Sequence, residues 1–223
     1  SKLARLFPEH NGIKIKYQAI WDLPDPNARA DYNNSDGQYV VEIYGGLLNL
    51  PHFSEGALVA IACHELGHIK GGTKESRKIW DDRMQPLNTS EGFADYFASH
   101  ICLKKYYEEQ IFTEEPRIKR IMNICQDDKK WDLCINVLNA SYDNLNSISN
   151  EPIDLNIPSS NIASQTSYAP QNHPKNDCRF DIMISGYLCD QSEQDVPCGF
   201  NKKGRYIGKG DKRSLPPQCF FRP

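Results

Sequence analysis

The chain has 223 residues, 39% hydrophobic and 25% charged, with a formal net charge of −3. A chain of this length buries about 70% of its unfolded surface in one large or two small domains, and scattered lysines and arginines with so small a net charge exclude a strong field for nucleic acid or an anionic membrane. The longest apolar run, near Ala57 to Cys63, falls far short of the roughly 20 residues that span a bilayer, so a soluble protein is expected.

Eight cysteines without a Cys-x-x-Cys pair point to disulfides in an oxidising compartment, hence a secreted or periplasmic location. The alternative is a cytosolic chain with buried free thiols. A start at Ser1-Lys2, with neither methionine nor an apolar leader, fits a processed form whose export signal is absent here.

In chain order, Ile13, Ile15, Tyr17, Ala19 and Trp21 alternate with mostly polar neighbours, as a half-buried strand does. Leu23-Pro24-Asp25-Pro26 stops it, and Asn27 to Tyr32 alternates again. Asn33-Asn34-Ser35-Asp36-Gly37 is a turn signal before a third strand, Gln38 to Tyr44. A small antiparallel sheet is expected ahead of the first long helix.

That helix has Ser54 as N-cap, Glu55 in its first turn, Leu58, Ile61, Ala62, Leu66 and Ile69 as apolar cover, and Gly71-Gly72 as its end. It carries His64-Glu65-Leu66-Gly67-His68. At helical spacing the two imidazoles lie about 40° apart, one turn from each other, and can share one metal ion. Glu65 projects about 100° further round, where it addresses a water instead of the ion. Gly67 costs roughly 1 kcal/mol of helix propensity relative to alanine, which suggests another backbone close by.

Gly72 to Leu87 has no sustained period and reads as a connector. Glu91 and Asp95 then share one face of a second helix that continues through Phe97, Ile101 and Tyr106. Glu91 can complete the metal site while Asp95 receives the N–H of a ligating histidine. Alone, Asn88 followed by Glu91 reads as a capping box with Glu91 an ordinary N3 residue, and it is the preceding His64-Glu65-Leu66-Gly67-His68 helix that turns the reading to a ligand. His100, about 180° from Glu91 on that helix, is structural.

Pro116 opens a helix with Ile118, Ile121, Met122 and Cys125, and Trp131 to Tyr142 makes the next, so Cys125 and Cys134 are placed to clamp a hairpin. Residues 151–176, rich in Asn, Ser, Pro and Gln, read as an exposed loop or linker. They divide a core of residues 1–150 from a cysteine-containing helix and tail, 177–223. Cys178 and Cys189, about 16 Å apart along one helix, cannot bond each other. The tail, with Cys198 and Cys219, is too poor in apolar residues for a core of its own and is expected to be stapled onto the body.

His64-Glu65-Leu66-Gly67-His68, Glu91-Gly92-Phe93-Ala94-Asp95 and, more weakly, Asn27-Ala28-Arg29-Ala30 resemble the gluzincin metallopeptidases, in particular the CAAX-prenyl endopeptidase and HtpX-type group, in a soluble minigluzincin-like form. The resemblance spans roughly residues 13 to 107. Gly92-Phe93 departs from the group's glutamate-x-glutamate-alanine-aspartate motif, while Glu91, Ala94 and Asp95 match it. It implies an α+β, zincin-like fold, mostly helical, with a small sheet before the metal helix, and an edge strand at Asn27, Ala28, Arg29 and Ala30 that pairs with peptide or protein substrate.

The expected chemistry is peptide-bond hydrolysis. One Zn²⁺ per chain, held by His64, His68 and Glu91, activates a water and polarises the carbonyl, with Glu65 as general base and Asp95 orienting a histidine. Tyr96, Tyr168, His173, Arg179 and Tyr187 all remain open as the oxyanion donor. The competing readings are a disulfide-stabilised binding module with a non-catalytic zinc, and a zinc hydrolase acting on another bond.

Overall fold

A computed structural model describes residues 1–71, 91–110, 113–149, 153–159, 174–190, 197–200, 208 and 211–220. The chain is α+β, with about half of the described residues helical. After a short helix α1 (Lys2–Leu6) come strands β1 (Glu9–His10), β2 (Ile13–Ile20), β3 (Ala28–Asn33) and β4 (Gln38–Tyr44). They form one sheet in the order β1-β2-β4-β3.

The sheet is mixed, not antiparallel as expected: β1 with β2 and β3 with β4 are antiparallel, whereas β2 runs parallel to β4. The Asn33–Gln38 turn folds β4 back on β3, and β4 then inserts beside β2, leaving β3 outside. The return connection passes the end of the sheet, where Leu23 O accepts from Gly46 N and Asn27 O from Tyr44 N. Strand β2 stops one residue early, and Trp21 stands out in solvent at 58% exposure.

One face of β4, with Tyr39 and Val41, joins the main core. The other carries Val40, Glu42 and Tyr44, all buried, and Glu42 is ion-paired there with Arg29 and accepts a hydrogen bond from Gln18. A buried carboxylate without such partners would be costly.

Helix α2 (Glu55–Lys70) packs between this sheet and helix α6 (Trp131–Ser147). Ser54 caps it, accepting from Ala57 N at 3.0 Å while donating to Asp143 on α6 at 2.7 Å, so the cap also fixes how the two helices meet. The residues of its buried side are apolar, including Ala57, Ala60, Cys63 and Leu66, except for His64. Hydrophobic burial of that side supplies most of the helix's stability.

The second helical rod begins as α3 (Glu91–Phe97), passes through one π-helical turn (Ala98–Cys102), and continues as α4 (Leu103–Glu108). A π turn breaks the regular period that the sequence pattern suggests. Cys102, its last residue, is bonded to Cys63 of α2. His100 is buried with Nδ1 3.2 Å from Gly186 O, in a structural setting.

Helix α5 (Lys119–Cys125) starts three residues after Pro116. The backbone there is diverted, because Arg117 N donates to Asn139 and its guanidinium to Asp143 on α6. Cys125 and Cys134 clamp the α5–α6 hairpin. Helix α7 (Asn176–Leu188) crosses α3 and α6; Cys178 pairs with Cys219, and Cys189 with Cys198. The tail is thus stapled to the body, and all eight cysteines are paired. Four disulfides fit an oxidising compartment, and among the described residues no helix is long and apolar enough to cross a membrane. The connector 72–90 and most of the polar stretch 151–176 lie outside the described residues.

Cys63 and Cys102 close a loop of 39 residues, for which the chain-entropy relation gives a stabilisation of about 4 kcal/mol. The paired substitution Cys63→Ala/Cys102→Ala is therefore expected to lower the urea midpoint by a corresponding amount, and an unchanged midpoint would contradict this role.

Candidate metal centre

His64 and His68 stand one turn apart on α2, with their Nε2 atoms 3.2 Å from each other. Oε2 of Glu91, the first residue of α3, lies 3.1 Å from His64 Nε2 and 3.5 Å from His68 Nε2. Tetrahedral ligands held about 2.0–2.1 Å from an ion stand about 3.3 Å apart. The three donors already form a triangle of that size. Glu65 belongs to the same cluster: one donor atom each from His64, Glu65 and His68 lie within 4.8 Å of one another. Every cysteine is held in a disulfide, so no thiolate competes for the ion.

The helices can approach this closely because of Gly67. A Cβ there would sit 2.6 Å from Ala94 O and 2.7 Å from Ala94 Cα, inside any permissible contact. Backbone meets backbone at this crossing, between the two histidines on one helix and between Glu91 and Asp95 on the other.

Behind the triangle lies a chain of buried charges. His64 Nδ1 is 2.7 Å from Asp95 Oδ1. Arg179 of α7 grips the same carboxylate in a fork, Nε to Oδ2 and Nη2 to Oδ1, both at 2.8 Å. Bidentate guanidinium–carboxylate pairs are strong and directional. Asp95 is fully buried and Arg179 and His64 nearly so, whereas His68 and Glu91 keep 13% and 17% of their side chains exposed and Glu65 is half-buried. Burial thus decreases from Asp95 and His64 to His68, Glu91 and Glu65.

Burial alone would lower the pKa of the His64 ring, but Asp95 and Glu91 outweigh it and raise it to about 10 in the metal-free chain. Burial works against the Asp95 carboxylate too, yet Arg179 and His64 hold it down to about 2. Glu91 likewise overcomes its desolvation through both histidines and lies well below the usual carboxylate range. The cluster could hold a metal ion, and in the metal-free chain these carboxylates favour the protonated His64 ring.

The structure brings together His64, Glu65, His68, Glu91 and Asp95. Asn27, Ala28, Arg29 and Ala30 lie at the start of β3, an edge strand that packs against α2. Of the five oxyanion candidates, Arg179 is bound to Asp95 behind His64, Tyr96 is buried against the tail, and Tyr187 donates to Asp128. Tyr168 and His173 fall outside the described residues, as does Asn88 of the alternative capping box. The pairing of Arg179 with Asp95 was missed from sequence because 84 residues separate them. Its one local signal is an arginine next to Cys178 and Phe180 on a helix whose Phe180, Ile182, Met183 and Ile184 are all buried.

No protein-family model, curated protein or solved structure matches this chain, so its function has to be read from these side chains.

A divalent ion at His64 must displace the ring's proton. Apparent zinc affinity is expected to rise with pH from below 7 towards 10, and titration calorimetry in buffers of differing ionisation enthalpy should detect a proton released at pH 7.5. In the metal-free fold the sign is opposite: the contribution from protonated His64 is complete below pH 6.5 and disappears as pH climbs through about 10. Zinc binding without proton release would contradict this charge assignment.

Proposed function

We propose that this chain is a zinc-dependent metallopeptidase of gluzincin type, on a zincin-like fold, acting in the secreted or periplasmic space. The triangle of His64 Nε2, His68 Nε2 and Glu91 Oε2 carries the reading. Two imidazoles and a carboxylate with a base alongside suit zinc in a hydrolytic site, where three protein ligands leave one position open. Bound there, zinc supplies Lewis-acid polarisation of a carbonyl and lowers the pKa of water towards about 7.

The remaining work falls to the chain's own groups. Glu65 accepts a proton from the attacking water and delivers it to the departing amine. Asp95 accepts the Nδ1–H of His64, which keeps Nε2 available as a donor and fixes the plane of the ring. Arg179 balances the Asp95 charge, so Asp95 stays an anion and orients the ring without taking the proton.

Extended substrate would be held by β3. The Tyr44 N to Asn27 O bond sets the alternation of the β3–β4 ladder, so Ala28, Ala30 and Tyr32 turn their N–H and C=O groups to the open side. Asn27 and Asp31 side chains occupy the N–H of Ala28 and of Tyr32. The Ala30 N–H and the carbonyls of Ala28 and Ala30 then pair with a peptide backbone, a mode that tolerates many sequences.

Purified protein should hold one zinc per chain and cleave casein or a peptide library. Glu65→Gln should retain the zinc and lose activity by about 10²–10⁴-fold; cleavage unchanged by Glu65→Gln would overturn the mechanism. Full zinc with no cleavage by the wild type would favour a binding module. Ala30→Pro removes an N–H that the β3–β4 ladder does not use, so it should raise KM by about 3–10-fold, the worth of one hydrogen bond, with zinc content intact. An unchanged KM would place the substrate elsewhere.

A further inference from the structure

We infer that the C-terminal tail belongs to the metal centre: Phe220, anchored by the Cys178–Cys219 disulfide and seated against Gly92, is a positioning residue for Glu91. This rests on the reading of His64, His68 and Glu91 as zinc ligands.

Glu91 is the first described residue of a rod that runs through the π turn to Glu108, and packing on its faces holds such a rod in place. Around its axis, Glu91, Ala94 and Asp95 lie on the side of α2, and Gly92, Phe93 and Tyr96 on the opposite side. The tail covers that opposite side. A Cβ on Gly92 would lie 3.1 Å from both Cδ2 and Cε2 of Phe220, so the ring fills the notch that glycine leaves beside the ligand. Phe220 is fully buried and meets Phe93 edge-on at 5.1 Å between centroids. One turn on, Tyr96 donates its hydroxyl to Ser214 O at 3.0 Å and accepts from Cys198 N at 3.0 Å.

These tail contacts are not an extension of the main core. Phe93, Tyr96, Cys178, Ile182, Cys189, Cys198 and Phe220 form a second cluster, drawn from α3, α7 and the tail. Cys178 is the residue before Arg179, and Cys219 the residue before Phe220. One disulfide thus joins the helix that supplies Arg179 to the side chain that backs Glu91. With Gly67 on one side and Phe220 on the other, α3 is gripped from both directions, and the second grip comes from a segment at the far end of the sequence.

The test compares zinc affinity, by competition with a chromophoric chelator, with the metal-free melting temperature in the full chain. Phe220→Ala should weaken zinc binding by about 10–100-fold, the range seen when groups that orient metal ligands are removed. Gly92→Ala should weaken it severalfold, and the smaller side chain in Gly92→Ala/Phe220→Leu should recover most of that loss. Ile135→Val, an equally buried change in the main core, should lower the melting temperature and leave zinc affinity unaltered. Folded Phe220→Ala with wild-type affinity would overturn the inference. Should Phe220→Ala fail to fold, Gly92→Ala decides alone, and wild-type affinity in it would overturn the inference equally. A wild-type chain that takes up no zinc would overturn the metal reading and this inference with it.

Discussion

Contact between two helix backbones at Gly67 and Ala94 is the constraint on which the rest of this molecule depends. The three donors are separated by 3.1–3.5 Å, and an ion tolerates little deviation from ligand distances near 2 Å. A methyl group at position 67 would have to push α3 away and carry Glu91 and Asp95 with it. Gly67 weakens its own helix for this purpose. The Cys63–Cys102 disulfide beside His64 offsets that weakness by tying the same two rods together.

The second requirement is electrostatic. Asp95 has no access to solvent, and a carboxylate in that position is tolerable only with full partnership. Arg179 from one side and His64 from the other provide it, and in doing so fix the histidine ring. Orientation of the His64 ring and neutralisation of a buried charge are accomplished by the same hydrogen bonds. Three helices remote in sequence must therefore dock correctly before the site exists.

Much of this was legible in the chain itself. Alternation at Ile13 to Ile20, the turn signal ahead of Gln38 to Tyr44, the Ser54 cap and the short Cys125–Cys134 spacing are local signals, and the structure carries strands, cap and disulfide there. Alternation assigns faces to a strand but not neighbours, which is why the parallel β2–β4 pairing was not foreseen. Trp21 continued the alternation, yet the chain turns away at Ile20 and leaves it exposed. The π turn, the Cys63–Cys102 bond and the grip of Arg179 on Asp95 come from tertiary contacts over 39 and 84 residues, which no local pattern encodes. Gly67 was the exception, since a glycine inside a helix motif signals close approach even when the approaching partner is unknown.

The most direct measurement is anomalous diffraction at the zinc edge from crystals of the zinc-loaded protein. The account predicts a single peak within about 2.1 Å of His64 Nε2, His68 Nε2 and a Glu91 carboxylate oxygen, with no fourth side chain bound. A peak located elsewhere, or coordination that omits Glu91, would contradict it.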